Sequence, residues 1–158
     1  GVEANLDAAL TTFHRTYAGR LTETTRPYEG IPELLESLAA TATLAVLTNK
    51  PLVPTERLLD AFGWSSYFAG VIGGDGPHPR KPDPSGLASL MTQSAMAPAH
   101  TVMVGDSMAD VEVARRAGVR MCFAAYGFGS ARGDIQLRGD EWVAQSASDL
   151  QRLLTGEW

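Results

Sequence analysis

The stretch Thr101-Val-Met-Val-Gly-Asp-Ser-Met-Ala-Asp110 decides how this chain reads. A β-rich apolar run stops at Gly105, one carboxylate follows at Asp106, and a second comes four residues later at Asp110. The pattern is that of a strand, a tight turn and a helix running to about Ala117, with Gly118 as its stop. Asp110 would then lie in the helix's first turn, where it and Asp106 could face one pocket. Two close carboxylates repel, and a hard, oxygen-seeking cation such as Mg²⁺ offsets that repulsion. The plainer reading is that Asp106 or Ser107 caps the helix and Asp110 sits near its positive end. This segment alone does not separate the two.

Outward from it, short apolar runs alternate with helical patterns. Toward the N-terminus lie a helix over 33–40 with Pro32 at its first position, a strand over 43–47, a helix over 55–62 stopped by Gly63, and a strand over 67–72. Four prolines within 77–84 exclude helix and central strand there, and a helix over 85–94 follows. Beyond Gly118 come a strand over 120–125, a glycine-rich loop over 127–133, a short strand over 142–144 and a last helix over 148–154. At the other end, Leu6, Leu10, Phe13, His14 and Tyr17 fit an amphipathic helix. The expected fold is α/β, a Rossmann-like, mostly parallel sheet with helices on both faces.

The composition narrows the function. With 13 Lys+Arg against 18 Asp+Glu and a net charge of −5, the 158 residues lack the basic character of a nucleic-acid binder. No apolar run is long enough to span a bilayer, and the first residues carry Glu3 and Asp7 without a basic signal-peptide region. A cytoplasmic location with no membrane partner is expected. The single cysteine, Cys122, excludes an intramolecular disulfide and reads as a core residue. His14, His78 and His100 show no metal spacing, and Trp64, Tyr67 and Phe68 read as core packing.

In doubly wound sheets ligands bind beyond the carboxyl ends of strands. Three such places carry polar residues: Thr48 and Asn49, Lys81 on the proline-rich loop, and the Asp106–Asp110 pair. A hydroxyl and an amide beside free backbone N–H groups make a phosphate cradle, and a lysine on a stiff loop can be aimed at a phosphoryl group. Singly, each has a plainer explanation as a strand terminus or a solvated lysine.

Together they are specific. Leu47-Thr-Asn-Lys-Pro51, Arg80-Lys-Pro-Asp-Pro84 and Val104-Gly-Asp-Ser-Met-Ala-Asp110 resemble, in order and spacing, motifs two, three and four of the haloacid dehalogenase superfamily. Arg26-Pro-Tyr-Glu-Gly30, Gly73-Gly-Asp75 and Ala114-Arg-Arg-Ala-Gly118 look most like its phosphoglycolate phosphatase family. The resemblance implies Mg²⁺-dependent hydrolysis of a small phosphomonoester, such as 2-phosphoglycolate, through an aspartyl-phosphate. It gives Thr48 and the Asn49 backbone N–H to the phosphoryl group and Lys81 to charge neutralisation. Asp106 would bind Mg²⁺, and Asp110 would bind it directly, bind it through water, or orient Lys81.

The chain departs from the family in one respect. The first motif, Asp-x-Asp-Gly-Thr, which supplies the nucleophile and the general acid/base, occurs nowhere in the sequence, and Asp75-Gly76 and Asp83-Pro84 fall at the wrong place in the motif order. The resemblance therefore implies a C-terminal part, with residues 1–25 a remnant of the helical cap region and 26–158 the core domain. No nucleophile belongs to this chain, and the chain alone is expected to be inactive. The alternative is a non-catalytic phosphate- or Mg²⁺-binding or assembly domain derived from such a phosphatase. The family's first strand lies between the Thr48 and Asp106 strands, so its loss leaves two open edges. A missing N-terminal segment or another chain could fill the gap, the two strands could close up and pair, or a homodimer could form by swapping.

Overall fold

The computed structural model describes residues 25–130 and 135–156. The expected helix over 6–17, the cap remnant and His14 lie outside them. The elements run α1 (Ile31–Ala39), β1 (Leu44–Leu47), α2 (Leu52–Ala61), β2 (Phe68–Ile72), α3 (Ser85–Gln93), β3 (Val102–Gly105), α4 (Met108–Ala117), β4 (Arg120–Ala124), β5 (Trp142–Ala144) and α5 (Ala147–Thr155). No helix among the described residues is long and apolar enough to cross a membrane.

Strand β4 shows how the sequence builds the larger core. Its successive side chains point to opposite faces of the sheet. Met121 and Phe123 pack with Leu87, Met103, Val111 and Val113 under α3 and α4, whereas Cys122 packs with Leu34, Ala144 and Leu150 under α1 and α5. Helices thus cover both faces. Burial pushes the Cys122 thiol up to about 11, which leaves it protonated and unreactive near neutrality.

Every strand pairing is parallel, but the strands form two sheets, β1-β2 and β3-β4-β5. No ladder joins β1 to β3 among the described residues, so of the possibilities for the gap, the direct pairing of these two strands is not the one seen. Val104 on the open side of β3 is 38% exposed, and Ala45 of β1 is exposed too.

Local differences from expectation have physical causes. Helix α2 begins at Leu52 rather than 55, because Pro54 falls in its first turn, where a missing N–H costs nothing. The Leu52 N–H donates to Asp75 Oδ1 at 2.7 Å, and Asp83 Oδ1 accepts from Ser85 N and Oγ at 2.9 and 2.5 Å. Both aspartates outside the motif order therefore serve helix starts. Trp64, Tyr67 and Phe68 are half-buried rather than core, with Trp64 against Phe62 at 4.9 Å.

A half-buried ion pair ties the last loop to α4. Arg115 reaches Glu141 Oε1 at 2.6 Å, and Glu141 Oε2 accepts the N–H groups of Arg138 and Gly139 at 2.9 and 3.1 Å. Burial pushes the Glu141 carboxyl up, but Arg115 and the backbone donors outweigh it and hold the group at about 2, against an ordinary 4.5. The folded-state value lies below the unfolded one, so ionised Glu141 favours the folded state. This contribution is complete above the unfolded pKa and is lost as pH falls through the window from 4.5 to about 2. Glu141→Gln should flatten the acid limb of stability in that window, measured by urea unfolding at stepped pH. An unchanged acid limb would show that Glu141 does not carry it.

Candidate active site

The site forms where β1, the proline-rich loop and the β3–α4 turn meet. Strand β1 ends at Leu47, and the Thr48 N–H still donates to Ile72 O of β2 at 3.0 Å, which fixes Thr48 at the strand's carboxyl end. Thr48 Oγ1 accepts the Lys50 N–H at 3.1 Å, leaving the hydroxyl proton for an incoming oxygen.

Asn49 has a role its residue type did not reveal. Its side chain forms a two-bond clamp on the backbone of Lys81: Nδ2 donates to Lys81 O at 3.0 Å, and Oδ1 accepts the Lys81 N–H at 2.8 Å. A contact across 32 positions thus brings the proline-rich loop to the end of β1. The Lys81 ammonium then donates to Leu47 O at 2.8 Å and to Asp110 Oδ1 at 2.6 Å. Two of its three protons are taken, and one remains for an anion. With side chains only 11% and 6% exposed, Lys81 and Asp110 form a nearly buried ion pair that bridges the two sheets.

Asp110 is fully engaged. Its Oδ2 accepts from Asp106 N at 3.2 Å, Ser107 N at 3.0 Å and Ser107 Oγ at 2.6 Å, while Ser107 returns a capping bond to the Asp110 N–H. The capping reading of this turn holds, with Ser107 and Asp110 forming a reciprocal box at the start of α4. Gly105 is required less for the turn than for space. A Cβ there would stand 2.3 Å from Asp110 Cγ, in the volume the carboxylate occupies.

Asp106 is held differently. Its Oδ2 accepts the Gly129 N–H at 2.8 Å, and its Oδ1 accepts no hydrogen bond among the described residues. Gly127 and Gly129 therefore belong to the site, and only the glycine-rich character of 127–133 hinted at them. His78 and His100 do not join it: no group of three or more His, Cys, Asp or Glu that could hold a metal exists among the described residues. The oxygen donors still suit Mg²⁺, which binds through one or two carboxylates with water and phosphate completing its shell. Asp106 Oδ1 offers such an oxygen, whereas both Asp110 oxygens are committed to Lys81 and the turn.

The family model described as haloacid dehalogenase-like hydrolase matches residues 1–124. A phosphoglycolate phosphatase of Pseudomonas syringae pv. tomato is 34% identical over 155 residues, covering 98% of this chain and 55% of the relative. Phosphoglycolate phosphatase 1 of Pseudomonas aeruginosa is 37% identical over 133 residues, covering 82% and 48%. The chain thus spans about half the length of the curated relatives it matches. Among solved structures, a Haemophilus somnus protein described as a predicted phosphoglycolate phosphatase superposes with a TM-score of 0.81 at 29% identity, covering 89% of this chain and 63% of that one. A Lactobacillus plantarum structure shares the fold with a TM-score of 0.80 at 24% identity, covering 95% and 70%. This chain belongs to the haloacid dehalogenase-like hydrolase family.

Proposed function

We propose that this chain is the substrate-holding core of a cytoplasmic phosphatase for a small phosphomonoester such as 2-phosphoglycolate, acting with a nucleophile segment that it does not itself contain. The observation that carries the reading is the Lys81 ammonium, locked between Leu47 O and Asp110 with one proton unspent, beside the Thr48 hydroxyl. Phosphoryl transfer depends mainly on positioning and charge neutralisation, and these groups supply both. Lys81 draws charge from the phosphoryl oxygens, Thr48 orients one of them, and Asn49 keeps Lys81 from turning away. Asp110 orients Lys81, while Asp106 is the residue that would hold Mg²⁺. Bound there, the cation would neutralise further phosphoryl charge.

The absence of a ladder between β1 and β3 among the described residues supports a strand entering between them, from an N-terminal segment or a second copy. An Asp-x-Asp-Gly-Thr turn at that strand's end would face Lys81.

The test is phosphate release from 2-phosphoglycolate with Mg²⁺. The 158-residue chain alone should release none, and the chain joined to a first strand bearing Asp-x-Asp-Gly-Thr should turn over. Steady hydrolysis by the chain alone, lost on Asp106→Asn, would overturn the reading. The missing motif also favours a second reading, a non-catalytic binding or assembly domain. Calorimetry of Mg²⁺ with and without inorganic phosphate separates them, because phosphate should tighten Mg²⁺ binding only if the two share a site.

A further inference from the structure

Asp106 sits on the β3–α4 turn, yet what shapes its carboxylate comes from 23 residues further along the chain. After β4 the backbone turns tightly: Gly127 N–H donates to Ala124 O at 3.0 Å and Ser130 N–H to Gly127 O at 3.2 Å. The Ser130 hydroxyl lies 2.7 Å from Ala125 O and 2.6 Å from Gly127 O, binding the turn to itself. The turn wraps Asp106 so closely that neither glycine has room for a side chain. A Cβ on Gly127 would stand 2.3 Å from Asp106 Cβ, and one on Gly129 would stand 2.5 Å from the Asp106 carbonyl oxygen. On the outer side, Tyr28 packs edge-on against Tyr126 at 5.3 Å and at a tilt against Phe128 at 6.3 Å.

We propose that the 127–130 turn is the positioning element for Asp106: the Gly129 N–H fixes one carboxylate oxygen, and the other, which accepts no hydrogen bond among the described residues, is left for a divalent cation. A carboxylate free to rotate presents either oxygen in many directions, and a ligand must be ordered before it binds well. Here one hydrogen bond and two close glycine contacts order it in advance. Ser130 acts at one remove, holding the turn that holds Asp106. The inference rests on Asp106 as the cation ligand, and it adds the group that aims it.

The experiment measures Mg²⁺ affinity by calorimetry on the 158-residue chain and its variants, with folding followed by circular dichroism. Gly129→Ala should weaken binding about tenfold or more, as loss of an outer-shell partner does. Ser130→Ala, which leaves Asp106 untouched, should weaken it about threefold, the worth of one ordinary hydrogen bond, and Ser130→Thr should restore it. Folded Gly129→Ala or Ser130→Ala protein with native affinity would overturn the proposal. If Gly129→Ala does not fold, the two Ser130 variants decide.

Amide exchange at Gly129, read by NMR without metal, separates this proposal from the cation reading. The Gly129 proton should be protected in the native chain and unprotected in Asp106→Ala. Equal exchange in both would overturn the positioning. Protection without any Mg²⁺ binding would overturn the cation reading alone, leaving the turn as the holder of Asp106.

Discussion

Asp110→Ala should cost this chain about 4 kcal/mol of folding stability, the middle of the range for removing one partner of a buried ion pair. The Lys81 ammonium would keep only Leu47 O, in a place where its side chain is 11% exposed. The Asp106 and Ser107 N–H groups and the Ser107 hydroxyl would lose their acceptor in the same step. Lys81→Met should cost less, because Asp110 keeps those three donors. The double variant should fall well short of the sum, since it leaves no orphaned charge. Urea unfolding measures all three as shifts in midpoint at unchanged slope. Strict additivity, or a single-variant loss under about 1 kcal/mol, would show that the pair is not coupled in this way.

Gly105→Ala should reach the same network from the other side. The added methyl would meet Asp110 Cγ at 2.3 Å, Cβ at 2.5 Å and Oδ2 at 2.6 Å, all parts of a side chain that four hydrogen bonds hold in place. Relief requires the carboxylate or the turn to move, at a cost of about 3 kcal/mol, the upper part of the usual overpacking range. Moving the carboxylate also releases Lys81, so binding of inorganic phosphate should fall below detection by calorimetry. Gly76→Ala is the control. A Cβ there would stand 3.3 Å from its nearest neighbour, Gly73 O, a much milder approach, and the change should cost well under the Gly105→Ala loss. Equal effects from the two alanines would remove Gly105 from the site.

The sequence disclosed what local physics controls. The run 101–104, closed by Gly105 and followed by helical spacing, became β3, the run over 120–125 became β4, and the Ser107 cap and the Gly118 stop, with φ 68°, bounded α4. The lack of pairing between β1 and β3 among the described residues was legible too, because a motif was missing from the order. Long-range contacts were not legible. Nothing in Asn49 announces that it grips the Lys81 backbone rather than facing a ligand, and nothing local links Gly129 to Asp106. Gly105 looked like a turn residue, whereas the folded chain uses its missing side chain as room for Asp110. Helix α2 started early because Pro54 is compatible with a first turn that the pattern alone assigned to loop.

The division into two sheets bears on how cooperatively this chain behaves. Around β3, β4 and β5, side chains such as Val111, Val113 and Cys122 are wholly excluded from solvent, whereas no residue of β1 or β2 reaches that degree of enclosure and α2 contributes only Thr55. Regions with few enclosed apolar contacts open at lower free energy than the rest of a protein. The β1–β2 lobe carries Thr48 and Asn49, and the β3–β5 lobe carries Asp106 and Asp110. The candidate binding residues thus come from two sheets of unequal enclosure, and Lys81, hydrogen-bonded to Leu47 O and to Asp110, is the link between them.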